Sequence, residues 1–120
     1  MKVVVTASGP RLEDGFDTRF GRAAYFIICD IEDGSCEGYP NTQNLEAAQG
    51  AGIQAAQTVQ RLGAYALITG HVGPKAFKVL HANKIKIFSA SARTAQEALN
   101  AFNDGLLSPM EASDVEGHWV

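Results

Sequence analysis

The sequence predicts an α/β protein of three layers, in which a mixed five-stranded sheet lies between helices. Three observations support this prediction. The apolar runs KVVVTA at residues 2–7 and AYALIT at residues 64–69 have no polar face, which is typical of strands covered on both sides. Asp33-Gly34 separates two strand-like runs and indicates a hairpin. From residue 44 onward, helical and strand patterns alternate, as they do in parallel sheets.

Length and composition indicate one folded domain. The chain has 120 residues, of which 46% are hydrophobic and 19% charged, with a net charge of −3. We expect a domain over residues 1–107 and an acidic tail over residues 108–120. The charge gives no basic surface for nucleic acid, and no apolar run suits a signal peptide or membrane span. We therefore expect a cytoplasmic protein with neither a nucleic-acid nor a membrane partner.

The first third of the chain predicts a strand, a long polar loop over residues 8–22 and a hairpin. The hairpin strands cover residues 23–31 and 36–39. With a two-residue turn, Cys36 faces Ile31 and Cys29 lies diagonally on the same face. The pair forms no CxxC motif and no disulfide-rich pattern, which weakly indicates a reducing compartment. A buried small residue and a hairpin residue are therefore favoured over two metal ligands.

The rest of the chain predicts three helices and two strands. Asn44 can cap a helix over residues 45–62, which ends at Gly63. Pro74 fits the first position of the second helix, and residues 85–88 form the last strand. The sequence TAQE at residues 94–97 is a capping box and predicts the third helix. All strands but the second then run parallel, so the second strand is antiparallel to its neighbours.

This topology gathers four loops at one edge of the sheet, over residues 8–22, 40–44, 70–73 and 89–94. All three helices begin there, and the first turns of helices present unpaired N–H groups to anions. The winding of the sheet reverses between the first strand and residues 64–69, and ligands bind at such points. His71 lies there, between two glycines. The sequence leaves open whether it is a ligand or a turn residue that bonds a neighbouring loop.

Several ordered motifs resemble one known family. They are KVVVTA at residue 2, FGRA at residue 20, GAGIQAA at residue 50 and GHVGPKAF at residue 70. Together, over residues 2–107, they resemble the dinitrogenase iron-molybdenum cofactor biosynthesis family, in its stand-alone single-domain form. The resemblance implies a ribonuclease-H-like α/β/α fold with strand order 3-2-1-4-5. It also implies a relation to nitrogen fixation, because some members carry iron-molybdenum cofactor, and a related orange protein holds a molybdenum–copper sulfide cluster without covalent attachment.

A cluster of this kind is an anion with sulfide acceptors, so its site needs N–H donors, cations and an imidazole. We expect His71 to be the metal ligand. Phe20 also fits a core position beneath the long loop, and each cation alone also fits a solvated surface group. The candidate cofactor-binding residues are Arg19, Phe20, Gly21, Arg22, Gly70, His71, Gly73 and Lys75.

These observations favour a non-enzymatic binding or carrier protein for a metal–sulfur cofactor, of the iron-molybdenum or molybdenum/iron–sulfur type, in cluster assembly. The first strand lacks the clustered carboxylates of a two-metal nuclease, and GPK at residue 73 lacks the spacing of a phosphate-binding loop. The alternative is a protein-interaction or regulatory module that works with a partner ATPase and holds no cofactor. We expect the ligand in the crevice above the first strand and the strand over residues 64–69. A small-molecule enzyme that uses this crevice is a third interpretation.

Overall fold

The computed structural model describes residues 1–41 and 50–112, and in these ranges it has five strands and three helices. In chain order the elements are β1 (Lys2–Ala7), β2 (Tyr25–Asp30), β3 (Cys36–Pro40), α1 (Ala51–Arg61), β4 (Ala64–Thr69), α2 (Pro74–Ala82), β5 (Lys86–Ser89) and α3 (Ala95–Asn103). The predicted start of the first helix, with its Asn44 cap, lies outside the described residues.

The sheet confirms the predicted architecture. Its strand order is β3-β2-β1-β4-β5, with β2 antiparallel to β1 and β3, and with β1, β4 and β5 parallel. The predicted reversal of winding between β1 and β4 is therefore present. None of the described helices has the length and apolarity needed to cross a membrane.

The β-branched residues of β1 point alternately into two hydrophobic clusters, because side chains alternate across a strand. Val4 belongs to the cluster that α1 and α2 cover, whereas Val3 and Val5 belong to the cluster that α3 covers. All three valines are fully buried. This two-sided burial explains why the strand has no polar face in the sequence.

The predicted register of the β2–β3 hairpin is wrong. The turn spans four residues rather than two, because Asp30 N–H donates to Ser35 O and Gly34 N–H donates to Asp30 O, both at 2.8 Å. Cys36 therefore lies opposite Cys29, not opposite Ile31, and the two cysteines form a disulfide. The expectation of two separate thiols is corrected, and with it the cysteine argument for a reducing compartment.

Side chains also fix this turn. The hydroxyl and then the backbone N–H of Ser35 donate to Asp33 Oδ1, at 2.7 and 2.8 Å, and these bonds hold the pKa of Asp33 below its ordinary value. Gly34 has φ 77°, which a residue with a side chain rarely adopts. The Asp-Gly signal thus marked the turn correctly but not its length.

The last described segment packs on the sheet edge. Met110 N–H donates to Ile87 O at 2.6 Å, and Phe88 and Pro109 form an isolated antiparallel bridge. The first residues of the predicted tail therefore lie along β5. The rest of the predicted tail, residues 113–120, lies outside the described residues.

Candidate functional site

The carboxyl ends of β1, β4 and β5 meet at one edge of the sheet, which we call the rim together with the loops that follow these strands. The direction of the three strands brings the ends of β1 and β4 side by side. Gly70 and His71 follow β4 directly, and α2 begins three residues later. The rim is therefore where the sequence placed the candidate site.

A segment of the long loop, residues 15–20, crosses the rim, and we call it the strap. Asp17 N–H donates to Thr6 O at 3.0 Å, and His71 N–H donates to Thr18 O at 2.7 Å. Phe20 N–H donates in turn to His71 O at 3.2 Å. The crevice expected above β1 and β4 is thus filled by the chain itself. A ligand at the rim would meet the outer side of the strap.

Two features of the strand ends hold the strap in place. The Thr6 hydroxyl lies in the buried interior, donates to Asp17 O at 2.6 Å and shares a 2.8 Å hydrogen bond with the Thr69 hydroxyl. At Gly70, a Cβ would come within 2.5 Å of Thr18 Cβ and 2.6 Å of Thr18 O. Only glycine lets the backbone of the strap approach this closely.

Arg19 and His71 are brought together by the strap, because their backbones form a parallel bridge. The side chain of His71 is exposed, so its ring does not point into the packed interior. The Arg19 side chain is 59% exposed and contacts Asp17 Oδ1 through Nε at 3.4 Å. Among the described residues, none accepts from its two terminal nitrogens. Both side chains are thus presented to solvent beside each other.

The N-terminus of α2 follows this pair, and its first N–H groups include one of an exposed residue, Lys75, and one of a buried residue, Ala76. Gly73 caps the helix in an extended conformation, its carbonyl accepts from Phe77 N–H at 2.9 Å, and Pro74 occupies the first position. The N–H groups of Lys75 and Ala76 therefore have no acceptor within the helix. Lys75 is exposed and adds an ammonium group to the same turn. These groups give the end of α2 a positive character.

The N-terminus of α3 does not present unpaired N–H groups, contrary to the expectation for all three helices. Ala95 N–H donates to Asp14 O at 3.0 Å, and Gln96 N–H donates to Leu12 O at 2.8 Å. Thr94 Oγ1 accepts from Glu97 N–H at 3.1 Å, as the capping box predicts. The carbonyls of the long loop therefore use the donors of α3. Of the starts of α2 and α3, the long loop leaves the first N–H groups of α2 unbonded, whereas it bonds those of α3.

Three of the remaining predicted residues lie where the strap meets α1. Phe20 is 1% exposed and stacks on Phe26 with ring centroids 6.0 Å apart, so it anchors the strap in the core. A Cβ on Gly21 would lie 3.0 Å from Gly52 Cα, which shows how closely the chain passes α1. Arg22 is half-buried beyond this contact. Gly70 and Gly73 are buried and act through the backbone.

Sequence reasoning missed the residues that support the rim from below. Thr6 and Thr69 are polar positions in otherwise apolar strands, and that interruption was their signal. Asn41 is 2% exposed, and its Nδ2 donates to Ala23 O at 2.9 Å and Gly21 O at 3.4 Å. Nothing in the sequence indicates this role. Within residues 1–41 and 50–112, no three His, Cys, Asp or Glu side chains converge as a set of metal ligands.

The chain is similar to one protein family and to several known proteins. The family model described as dinitrogenase iron-molybdenum cofactor matches residues 1–105. The apo form of the orange protein from Desulfovibrio gigas is 38% identical, with a TM-score of 0.91 over 95% of this chain and 96% of that one. A proposed NifB protein from Thermotoga, placed in the DUF35 family, is 34% identical, with a TM-score of 0.84 over 97% and 98%. An uncharacterised protein of Methanocaldococcus jannaschii is 27% identical over 92% of each chain.

Proposed function

This chain belongs to the dinitrogenase iron-molybdenum cofactor family, and from that premise we propose that it binds and carries a metal–sulfur cluster in metallocluster assembly. The family and its relatives relate the chain to processes that involve this cofactor. The cargo we propose is of the iron-molybdenum or molybdenum/iron–sulfur type, bound without covalent attachment. The protein acts in this proposal as a carrier and not as an enzyme.

The observation that carries the proposal is the open N-terminus of α2 beside exposed His71 and Arg19. A metal–sulfide cluster is anionic and accepts hydrogen bonds through sulfide. The rim offers the backbone N–H of exposed Lys75, the terminal nitrogens of Arg19 and the ammonium of Lys75. The imidazole of His71 adds one nitrogen that can bind a metal directly. The chemistry of this donor set therefore fits such an anion.

The position of these donors supports a site that is formed before the ligand arrives. The hydrogen bonds of His71 N–H and O to the strap fix its backbone, and Phe20 anchors the strap in the core. Arg19 is oriented by two contacts with Asp17 Oδ1, from its backbone N–H at 2.9 Å and from Nε at 3.4 Å. Binding then costs little backbone entropy, since the loop is already ordered.

The experiment is reconstitution of the purified protein with tetrathiomolybdate and copper(I) under anaerobic conditions. After gel filtration, molybdenum, copper and the visible absorbance of the protein peak are measured. We expect a coloured complex that co-elutes with the wild-type protein. We expect His71→Ala to lower the retained molybdenum about tenfold or more, the scale on which changes around a metal-binding histidine act.

His81→Ala is the matched control, because His81 is an exposed histidine near the other end of α2. It should retain the colour of the wild type. Absence of any co-eluting chromophore would contradict the carrier proposal. Equal loading of the His71 and wild-type proteins would contradict the role of His71 while leaving the rim as the site, and Arg19→Gln then tests the cationic part.

A further inference from the structure

A groove lies between α2, β5 and the segment after α3, and none of its described lining residues belongs to the strap. Its main part has a volume of about 490 Å³ and an apolar lining that includes Phe77, Ile87 and Met110. A shallower depression of about 350 Å³ shares Phe77 and Glu111 with it and extends toward Pro74. We call the two together the lysine groove. Together the two parts follow α2 from Pro74 to His81, a path along which an extended chain can lie.

Charge is concentrated around this groove. Four of the five lysines in the sequence line it, namely Lys75, Lys78, Lys84 and Lys86, and all four are exposed. In the part of the chain that the structure describes, Glu111 is the one acidic residue among the lining residues. The whole chain has a net charge of −3, so the charge around the groove is opposite in sign to that of the whole chain. Such a patch attracts and orients an acidic partner.

Contacts within the chain hold both walls of the groove. Met110 N–H donates to Ile87 O at 2.6 Å, so the segment after α3 forms one wall along the edge of β5. On the other wall, Phe77 and His81 stack with ring centroids 5.7 Å apart and an interplanar angle of 12°. Phe77 and Met110 are only partly buried, which leaves apolar surface beside the lysines.

We propose that the lysine groove binds a segment of a partner protein in which acidic and apolar residues are mixed. The apolar residues of the segment contact the apolar lining of the groove, and its carboxylates pair with the lysines. An anionic membrane surface is flat, whereas the groove is concave between a helix and a chain segment, so the peptide is the better fit. The inference rests on the groove alone and does not depend on the proposed function of the rim.

The test measures binding of three fluorescein-labelled twelve-residue peptides by anisotropy, made of alternating Glu and Leu, Glu and Ser, or Lys and Leu. We expect the Glu–Leu peptide to bind most tightly and to weaken as salt rises. The double variant Lys78→Glu/Lys86→Glu should weaken its binding at least about tenfold, since charge reversal at a binding patch replaces attraction with repulsion. Lys75 is left unchanged because it also belongs to the rim.

The matched control is Arg11→Glu/Arg93→Glu, which changes the net charge equally at exposed sites outside the groove. It should bind the Glu–Leu peptide within about twofold of the wild type, and a thermal melt checks that both variants fold. Equal loss in both double variants, or equal affinity for the Glu–Leu and Lys–Leu peptides, would overturn the proposal. Binding to phosphatidylserine vesicles without binding to the Glu–Leu peptide would overturn it as well.

Discussion

The starts of α2 and α3 lie at the same rim, yet they differ in what their donors meet. At α3, the carbonyls of Asp14 and Leu12 accept from the first N–H groups, and Thr94 caps the turn. At α2, Pro74 removes one donor, and the N–H groups of Lys75 and Ala76 have no acceptor within the helix. A helix start at the rim is thus not a site by itself. The loop that folds over it decides whether its donors remain available.

The long loop over residues 8–22, which contains the strap, creates this difference, because it bonds the two sides of the rim in different ways. At the α3 side, the loop that contains the strap supplies carbonyls to the helix. At the α2 side, it bonds only the residues before the helix, through Thr18 and His71. Changes at the α2 side should therefore affect both stability and anion binding, whereas changes at the α3 side should affect stability alone.

The largest effect is expected from Gly70→Ala, which disrupts the contact between Gly70 and the strap at the α2 side of the rim. The new Cβ would lie 2.5 Å from Thr18 Cβ and 2.6 Å from Thr18 O, so the strap must shift. We expect a loss of roughly 2–4 kcal/mol in the free energy of unfolding, measured in urea. Cluster loading at His71 should fall with it.

Gly63→Ala is the control for this change. Gly63 has φ 81°, but no atom lies within 4 Å of a Cβ placed there. It should cost only the backbone strain of about 1–2 kcal/mol, without an effect on loading. Similar losses of loading in both variants would show that the strap contact does not matter for the site.

A second change tests stability far from both helix starts. The Cys29–Cys36 disulfide closes a short loop, with a sequence separation of 7, in the hairpin at the edge of the sheet. Cys36→Ser, or reduction of the wild type with dithiothreitol, should lower the free energy of unfolding by roughly 2 kcal/mol. Loading at the rim should stay the same. No change in stability on reduction would contradict the presence of the bond.

A third change breaks the α3 side alone. Thr94→Ala removes the acceptor for Glu97 N–H, while the bonds of Ala95 and Gln96 to the loop remain. Loss of such a cap should cost about 1 kcal/mol in thermal or urea unfolding. Loading should be that of the wild type. A clear loss of loading would mean that the α3 side contributes to the site.

The smallest effect is expected from Asp17→Asn, which tests how the charge of Asp17 affects anion binding at the α2 side. The Asp17 side chain is 12% exposed and pairs with Arg19. An amide oxygen can still accept from Arg19 N–H, but the negative charge beside the rim is gone. Affinity for tetrathiomolybdate should rise about twofold to fivefold at low salt, measured by equilibrium dialysis. A lower affinity would show that the charge is needed to orient Arg19.

Much of the fold could be predicted because local patterns and topology agree. The two-sided apolar runs of β1 and β4, Pro74 at the start of α2 and the capping box of α3 all lie where the patterns indicated. The hairpin register could not be predicted, since Asp33-Gly34 is compatible with more than one turn length. The bonds of Asp30 with Ser35 and Gly34 decide it, and they place the cysteines together.

The candidate site could be predicted only in part. The direction of the strands was enough to bring His71 to the rim. The path of residues 8–22 could not be predicted from the sequence. It depends on backbone hydrogen bonds between residues far apart in the sequence, such as that from Phe16 N–H to Arg93 O. That path fills the expected crevice, closes the start of α3 and brings Arg19 beside His71. The site residues themselves stay a prediction.

The most direct measurement is a ¹⁵N-edited NMR titration of the protein with tetrathiomolybdate and copper(I), which are both diamagnetic. If the open start of α2 holds the anion, the largest shifts occur at the amides of Lys75 and Ala76 and around His71 and Arg19. The amides of Ala95 and Gln96, already bonded to the loop, should shift little. Shifts centred on Ala95 and Gln96, or no localised shifts at all, would contradict the account.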